Sequence, residues 1–157
     1  MVANDFVFSS DPFNNNRERN VKNTDRYEYN CGGYALETFS WYCPEEEFEL
    51  CGTAFDTIEE AYEKTMYAVA VMVLEFAGKV RMIRKVEDLH KTSERLVAFR
   101  ISSDGDFHYI KKTRSGWKHK MGSSYPIRKM SEWEVFNTEW CGGRYDGPII
   151  LLAIKKN

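Results

Sequence analysis

The stretch from Asp106 to Lys120 constrains the fold more than any other part of the chain. Asp106 to Lys112 and Trp117 to Lys120 read as strands, with Thr113 to Gly116 as the turn between them. Taking those four residues as the loop sets Lys112 opposite Trp117 and Ile110 opposite His119. Side chains alternate along a strand, so His108 and Ile110 share a face and His119 joins them on it. The two histidines become diagonal cross-strand neighbours, about 7–8 Å apart at the backbone and within side-chain reach. The relation holds unless a bulge or an odd-length loop shifts the register.

Further strands are expected at Lys79–Ile83, Arg95–Ile101 and Pro148–Lys155, with a helical turn at Lys85–His90. Upstream, Cys31–Tyr42 predicts a helix with Asn30 as N-cap, ended by Pro44 and the acidic run Glu45 to Glu47. Its apolar residues Tyr34, Ala35, Leu36, Phe39, Trp41 and Tyr42 cover more than one face, so burial is expected. Asp56 or Thr57 caps a second helix reaching about Ala77, with Gly78 as its stop. Ile58, Ala61, Tyr62, Met66, Val69, Val73 and Phe76 recur there at helical spacing, although Tyr67 to Leu74 is apolar enough to be a strand instead. Helices precede strands, so the expected class is α+β, with the helices on one side of an antiparallel sheet. The 157 residues suit one domain, 1–157, with the polar residues 1–26 as a loop or arm over it.

A hydrophobic content of 43%, with 15% aromatics, supports a packed core and argues against disorder. The formal charge is −2 with both signs dispersed, which is no footprint for nucleic acid or an anionic membrane. Met1 to Arg26 lacks the basic and apolar regions of a signal peptide, and Met66 to Ala77 is too short to span a bilayer. The expected setting is cytoplasmic. The four cysteines, Cys31, Cys43, Cys51 and Cys141, are too few for a disulfide scaffold. No CxxC occurs, and the gap from Cys43 to Cys51 is long for a zinc knuckle, so neither metal nor cofactor is expected. Cys43, Cys51 and Cys141 read as packing or loop residues.

Cys31 differs because of where it lies, in Tyr29-Asn30-Cys31-Gly32-Gly33-Tyr34-Ala35-Leu36. A helix start offers free backbone N–H groups and the positive end of the dipole, which favour a thiolate and lower its pKa. The same N–H groups can form an oxyanion hole. Gly32 and Gly33 leave room for a carbonyl to approach the sulfur. A buried cysteine acting as a small hydrophobe is the plainer alternative. For the histidines, one imidazole can be general base to the cysteine while the other orients it. The plainer alternative is a half-buried His108 bonded to a carbonyl and a surface His119 between Lys118 and Lys120.

Taken together, Asn30-Cys31 with Tyr34-Ala35-Leu36, Asp106-Phe107-His108-Tyr109, and Gly116-Trp117-Lys118-His119-Lys120-Met121-Gly122 resemble small bacterial and phage-type members of the papain-like superfamily, close in design to the NlpC-type peptidases. Arg144-Tyr145 and the strand Ile149 to Ile154 fit the pattern loosely. The resemblance covers about Tyr29 to Ile154, and only the cysteine and histidine segments are specific. It implies Cys31 as nucleophile, His108 as base and His119 as the residue that orients His108. No glutamine precedes the cysteine as in the broader papain pattern; Asn30, Tyr29 or backbone N–H groups such as that of Gly32 are left to support the oxyanion.

The expected function is therefore acyl transfer. Cys31 attacks an amide, isopeptide or thioester carbonyl of a protein or peptide substrate, His108 moves the proton, and water releases the acyl group. One alternative is a catalytically silent papain-like binding or inhibitor module, with Tyr109, Trp117, Trp133 and Trp140 lining a groove. The other is a metal-free ribonuclease using His108 and His119 beside Lys111 or Lys120.

Overall fold

The computed structural model describes residues 29–42, 54–121 and 127–156. The expected arm 1–26, the helix stop at Pro44 to Glu47, Cys43, Cys51 and Gly122 lie outside the described residues. Elements follow in the order α1 (Cys31–Ala35), α2 (Ile58–Glu75), β1 (Val80–Ile83), a 3-10 turn (Val86–Asp88), β2 (Glu94–Ile101), β3 (Phe107–Thr113), β4 (Gly116–His119), β5 (Arg128–Met130), α3 (Glu132–Asn137) and β6 (Ile150–Lys155). The strands form one six-stranded antiparallel sheet in the order β1-β6-β2-β3-β4-β5. The class is α+β, as expected.

Alternation along the strands makes two apolar faces. Val97, Phe99, Ile101, Phe107, Tyr109 and Leu152 pack under α1 and α2. Leu96, Ala98, Ile110, Leu151 and Ala153 face the other way, under Val135 of α3 and under Trp140 and Tyr145 of the following loop. The expectation of helices on one side only is thus corrected. This second cover carries a sequence signal that the expected elements did not include, a capping box: the Ser131 side chain accepts from Glu134 N while Glu134 reaches back to the Ser131 N–H.

Two helices differ from their sequence reading. In α2 the Thr57 hydroxyl accepts from Glu60 N, and the helical reading holds through Tyr67–Leu74. The buried positions, however, are Ala61, Thr65, Ala68, Val69 and Met72, whereas Ile58, Tyr62 and Met66 are exposed. Small residues let the helix axis approach the sheet, and the bulkier side chains are turned outward.

In the other helix, α1 stops at Ala35 instead of reaching Tyr42, because Glu37 and Phe39 take left-handed backbone conformations at φ 58° and 52°. The Glu37 carboxylate is buried and held 2.6 Å from the Arg95 guanidinium, with Lys111 at 3.9 Å. The chain then doubles back, and Phe39 N–H donates to Gly33 O. Of the apolar residues expected to be buried here, Trp41 alone is exposed, at 44%.

The fold-back brings the Ser40 carbonyl onto the backbone of Gly33, so any Cβ at that position would overlap it. Gly33→Ala should therefore cost about 3 kcal/mol through overpacking. Gly78→Ala should cost only about 1 kcal/mol, because its φ of +82° is strained for alanine but nothing crowds the position. Urea denaturation of the two variants separates these; equal losses would mean that α1 is loosely packed.

Candidate active site

The hairpin register is the expected one, with Lys112 paired to Trp117 and Lys111 to Lys118. Thr113 and Gly116 also pair, so the turn is shorter than the four residues expected while the register is unchanged. His108 Nε2 and His119 Nδ1 lie 2.8 Å apart and share one hydrogen. Both residues are buried, His108 at 1% and His119 at 6% exposure, so the surface reading of His119 does not hold. The imidazole of His108 stacks on Tyr145, with centroids 4.9 Å apart and planes 20° apart, and Trp140 meets it edge-on. The Tyr145 hydroxyl donates to Asp106 Oδ2, and Arg144 donates to the same oxygen at 2.7 Å. His108 Nδ1 is buried and has no hydrogen-bond partner among the described residues.

Cys31 opens α1. Asn30 caps that helix: its Oδ1 accepts from Gly33 N at 3.0 Å and Tyr42 N at 3.1 Å, and its Nδ2 donates to Tyr42 O at 2.6 Å. The carbonyl of Tyr29 accepts from the buried ammonium of Lys120 at 2.6 Å. Asn30 and Tyr29 thus fix the approach to the cysteine. Gly32 packs closely, since a Cβ there would stand 3.2 Å from the Tyr42 and Tyr109 rings.

Among the described residues the β3–β4 ladder runs from Lys111 to Thr113, and the sulfur of Cys31 lies against the β3 backbone beyond it. The thiol points at Phe107 O at 4.0 Å, and the Tyr109 and Gly32 N–H groups face the sulfur. Cys31 therefore touches the two residues that flank His108, without a hydrogen bond to the His108 ring itself.

Burial sets the protonation states. Desolvation pushes the Cys31 thiol up to about 12, opposed by the Tyr109 and Gly32 N–H groups and the Lys120 charge. The lowered pKa expected from a helix start is overridden, because a single helical turn offers less than burial removes. Desolvation also carries His108 well below its usual value, helped by His119 and Arg144. His119 is lowered by burial and by Arg128, and Lys120 is lowered by burial to about 8.

The remaining expected residues spread out. Tyr109, Trp117 and Trp140 are core, and Trp133 is 66% exposed, so the four do not line a shared groove. A cavity of about 370 Å³ lies elsewhere, between Thr38, Ser40 and Tyr42 and the end of α2 from Glu75 to Lys79. Tyr145, Trp140 and Cys141 come to the histidines from a distant loop, which spacing does not reveal. Cys141 brings its sulfur to within 4.8 Å of one ring nitrogen of each histidine. Among the described residues, no helix is long and apolar enough to cross a membrane.

The histidine pair should leave a signature in stability. Both imidazoles are held neutral in the fold, whereas an unfolded histidine titrates near about 6.5. Below that pH the unfolded chain binds more protons, so stability is full above it and falls as the pH drops. The slope should approach about 1.4 kcal/mol per pH unit for each fully suppressed group. Glu94, held at about 2 by Arg81, adds its own loss only in a more acidic window. Urea midpoints from pH 7.5 to 5.5 should fall, and less steeply in His108→Gln; an unchanged slope in that variant would contradict the assignment.

No family model matches the chain, and neither the curated proteins nor the solved structures compared with it give a match.

Proposed function

We propose that this protein is a cysteine hydrolase of papain-like design, acting on an amide, isopeptide or thioester bond of a protein or peptide. The observation that carries the reading is the asymmetry of His108: its Nε2 is anchored on His119, while its Nδ1 is buried without a partner among the described residues. An imidazole that donates through Nε2 keeps the Nδ1 lone pair for a proton, as a general base requires. His119 then orients the ring, with Tyr145 holding its plane.

In this mechanism the Cys31 thiol leaves the Phe107 carbonyl on the α1 face of β3, passes the edge of the strand and yields its proton at Nδ1 of His108, whose ring packs on the other face against Trp140 and Tyr145. The thiolate attacks the substrate carbonyl, and the Gly32 N–H that faces the sulfur supports the oxyanion. His108 returns the proton to the leaving group, and water attack on the thioester regenerates the thiol.

A second reading, a papain-like module without catalysis, is favoured by one observation: the thiol is protonated, buried and directed at a strand carbonyl. The ribonuclease alternative has less support. Its two histidines are buried against each other instead of flanking a phosphate, while Lys111 is held by Glu37 and Lys120 by Tyr29.

A thiol-reactive peptide electrophile distinguishes the first two. If His108 accepts the proton, labelling of Cys31 should persist at neutral pH and fall by about 10²–10⁴ in His108→Ala. His119→Asn should lose less, since an amide can still hold the ring. Labelling that climbs about tenfold per pH unit through pH 9, equally in wild type and His108→Ala, would leave Cys31 as a packing residue.

A further inference from the structure

The shared nitrogen pair of His108 and His119 has a third neighbour that hydrolysis does not use. His108, His119 and Cys141 each offer one ligand atom, and all three atoms lie within 4.8 Å of one another. Within this cluster His108 Nε2 and His119 Nδ1 stand 2.8 Å apart. A fourth soft donor adjoins them, since the Cys141 thiol points at the Met121 sulfur from 3.4 Å. Imidazole, thiolate and thioether together select thiophilic cations over magnesium or calcium.

The geometry points to a site for a thiophilic d10 cation of the zinc type, held by His108 Nε2, His119 Nδ1 and Cys141 Sγ with Met121 or a water as the fourth ligand. In a tetrahedral site with metal–nitrogen bonds of about 2.0–2.1 Å and metal–sulfur bonds of about 2.3 Å, neighbouring donors stand roughly 3.3–3.7 Å apart. The nitrogens must therefore part by about half an ångström, and the sulfur must close by about one at most.

The backbone at Cys141 is suited to that movement. Cys141 has φ 57°, a left-handed conformation that a side chain other than that of glycine adopts only under constraint. It is followed by Gly142 and Gly143, also at positive φ, within the loop closed by the Trp140–Tyr145 bridge. Cys141 and Met121 are only partly buried, whereas both histidines are deeply placed, so an ion enters from the sulfur side.

Binding changes the state of His108. The ion takes the nitrogens that share the hydrogen, the His108 proton moves from Nε2 to Nδ1, and Cys141 releases its proton to solvent. His108 then presents an N–H where a base needs a lone pair. On the hydrolase reading, which this consequence rests on but the site itself does not, metal uptake switches the enzyme off.

The test titrates chelator-stripped protein with Zn2+ against a chromophoric competitor, and with Co2+ as a spectroscopic substitute. One ion per chain is expected, with a thiolate-to-cobalt charge-transfer band. Cys141→Ser should abolish that band, and both Cys141→Ser and His119→Ala should weaken zinc binding by more than the about 10–100-fold seen when an outer-shell partner is lost. Cys31→Ser should bind as wild type does, and circular dichroism checks that each variant is folded. No binding, or binding that survives Cys141→Ser or is lost in Cys31→Ser, overturns the site. Zinc should also suppress electrophile labelling of Cys31 in wild type but not in Cys141→Ser. Binding that follows Cys141 and His119 while Cys31 labelling is indifferent to zinc keeps the metal site and removes the hydrolase reading alone.

Discussion

The short ladder between β3 and β4 is the constraint on which the rest of the site depends. Its register sets Lys112 against Trp117, and with that pairing His108 meets His119 at hydrogen-bond distance. A slip of one residue would turn either histidine to the opposite face. The ladder's early end matters as much. Because the described pairing stops at Lys111, Cys31 of α1 meets the Phe107 to Tyr109 stretch there. Nucleophile and base candidates are thus set by the same few hydrogen bonds.

Around that ladder, polar groups inside the fold do the positioning. Asn30 spends both ends of its amide on a loop closure twelve residues long, and Lys120 reaches from the end of the hairpin to the Tyr29 carbonyl. These contacts tie the segment before Cys31 to the strand that carries His119. Glu37, enclosed with Arg95 and Lys111, fixes the reversal after α1. Removing one partner from such a buried set costs more than the set contributes, since the remaining charge is left unpaired. The segment is therefore specified by neighbours far away in the chain.

That separation divides what was legible in the sequence from what was not. The hairpin was legible because period-two alternation around a turn is a local signal, and the capped start of α2 was legible for the same reason. The end of α1 was not, because the left-handed Glu37 answers to Arg95, nearly sixty residues later. Periodicity in α2 marked the right element and part of its face: Ala61, Val69, Val73 and Phe76 meet the core, whereas Ile58, Tyr62 and Met66 are exposed and Thr65, Ala68 and Met72 are buried instead. The strand β5 carries Arg128 and Lys129, which gave no apolar pattern to read. Cys31 and the two histidines could be picked out by residue type and order. The protonation state of the thiol and the approach of Cys141 depend on burial and on a distant loop, which spacing alone does not encode.

The placement of Cys31 against the β3 backbone ties its chemistry to the integrity of the sheet. Its thiol occupies the slot where the next rung of the ladder would fall, so one side chain serves as the last tooth of a zip. Drawing the sulfur away gives up an S–H···O contact of 4.0 Å, weaker than a backbone rung. Each excursion of the sulfur must break that contact before any bond is made. The strand edge thereby acts as a latch on the thiol, and its release is easiest when an arriving chain offers an N–H to take the vacated place.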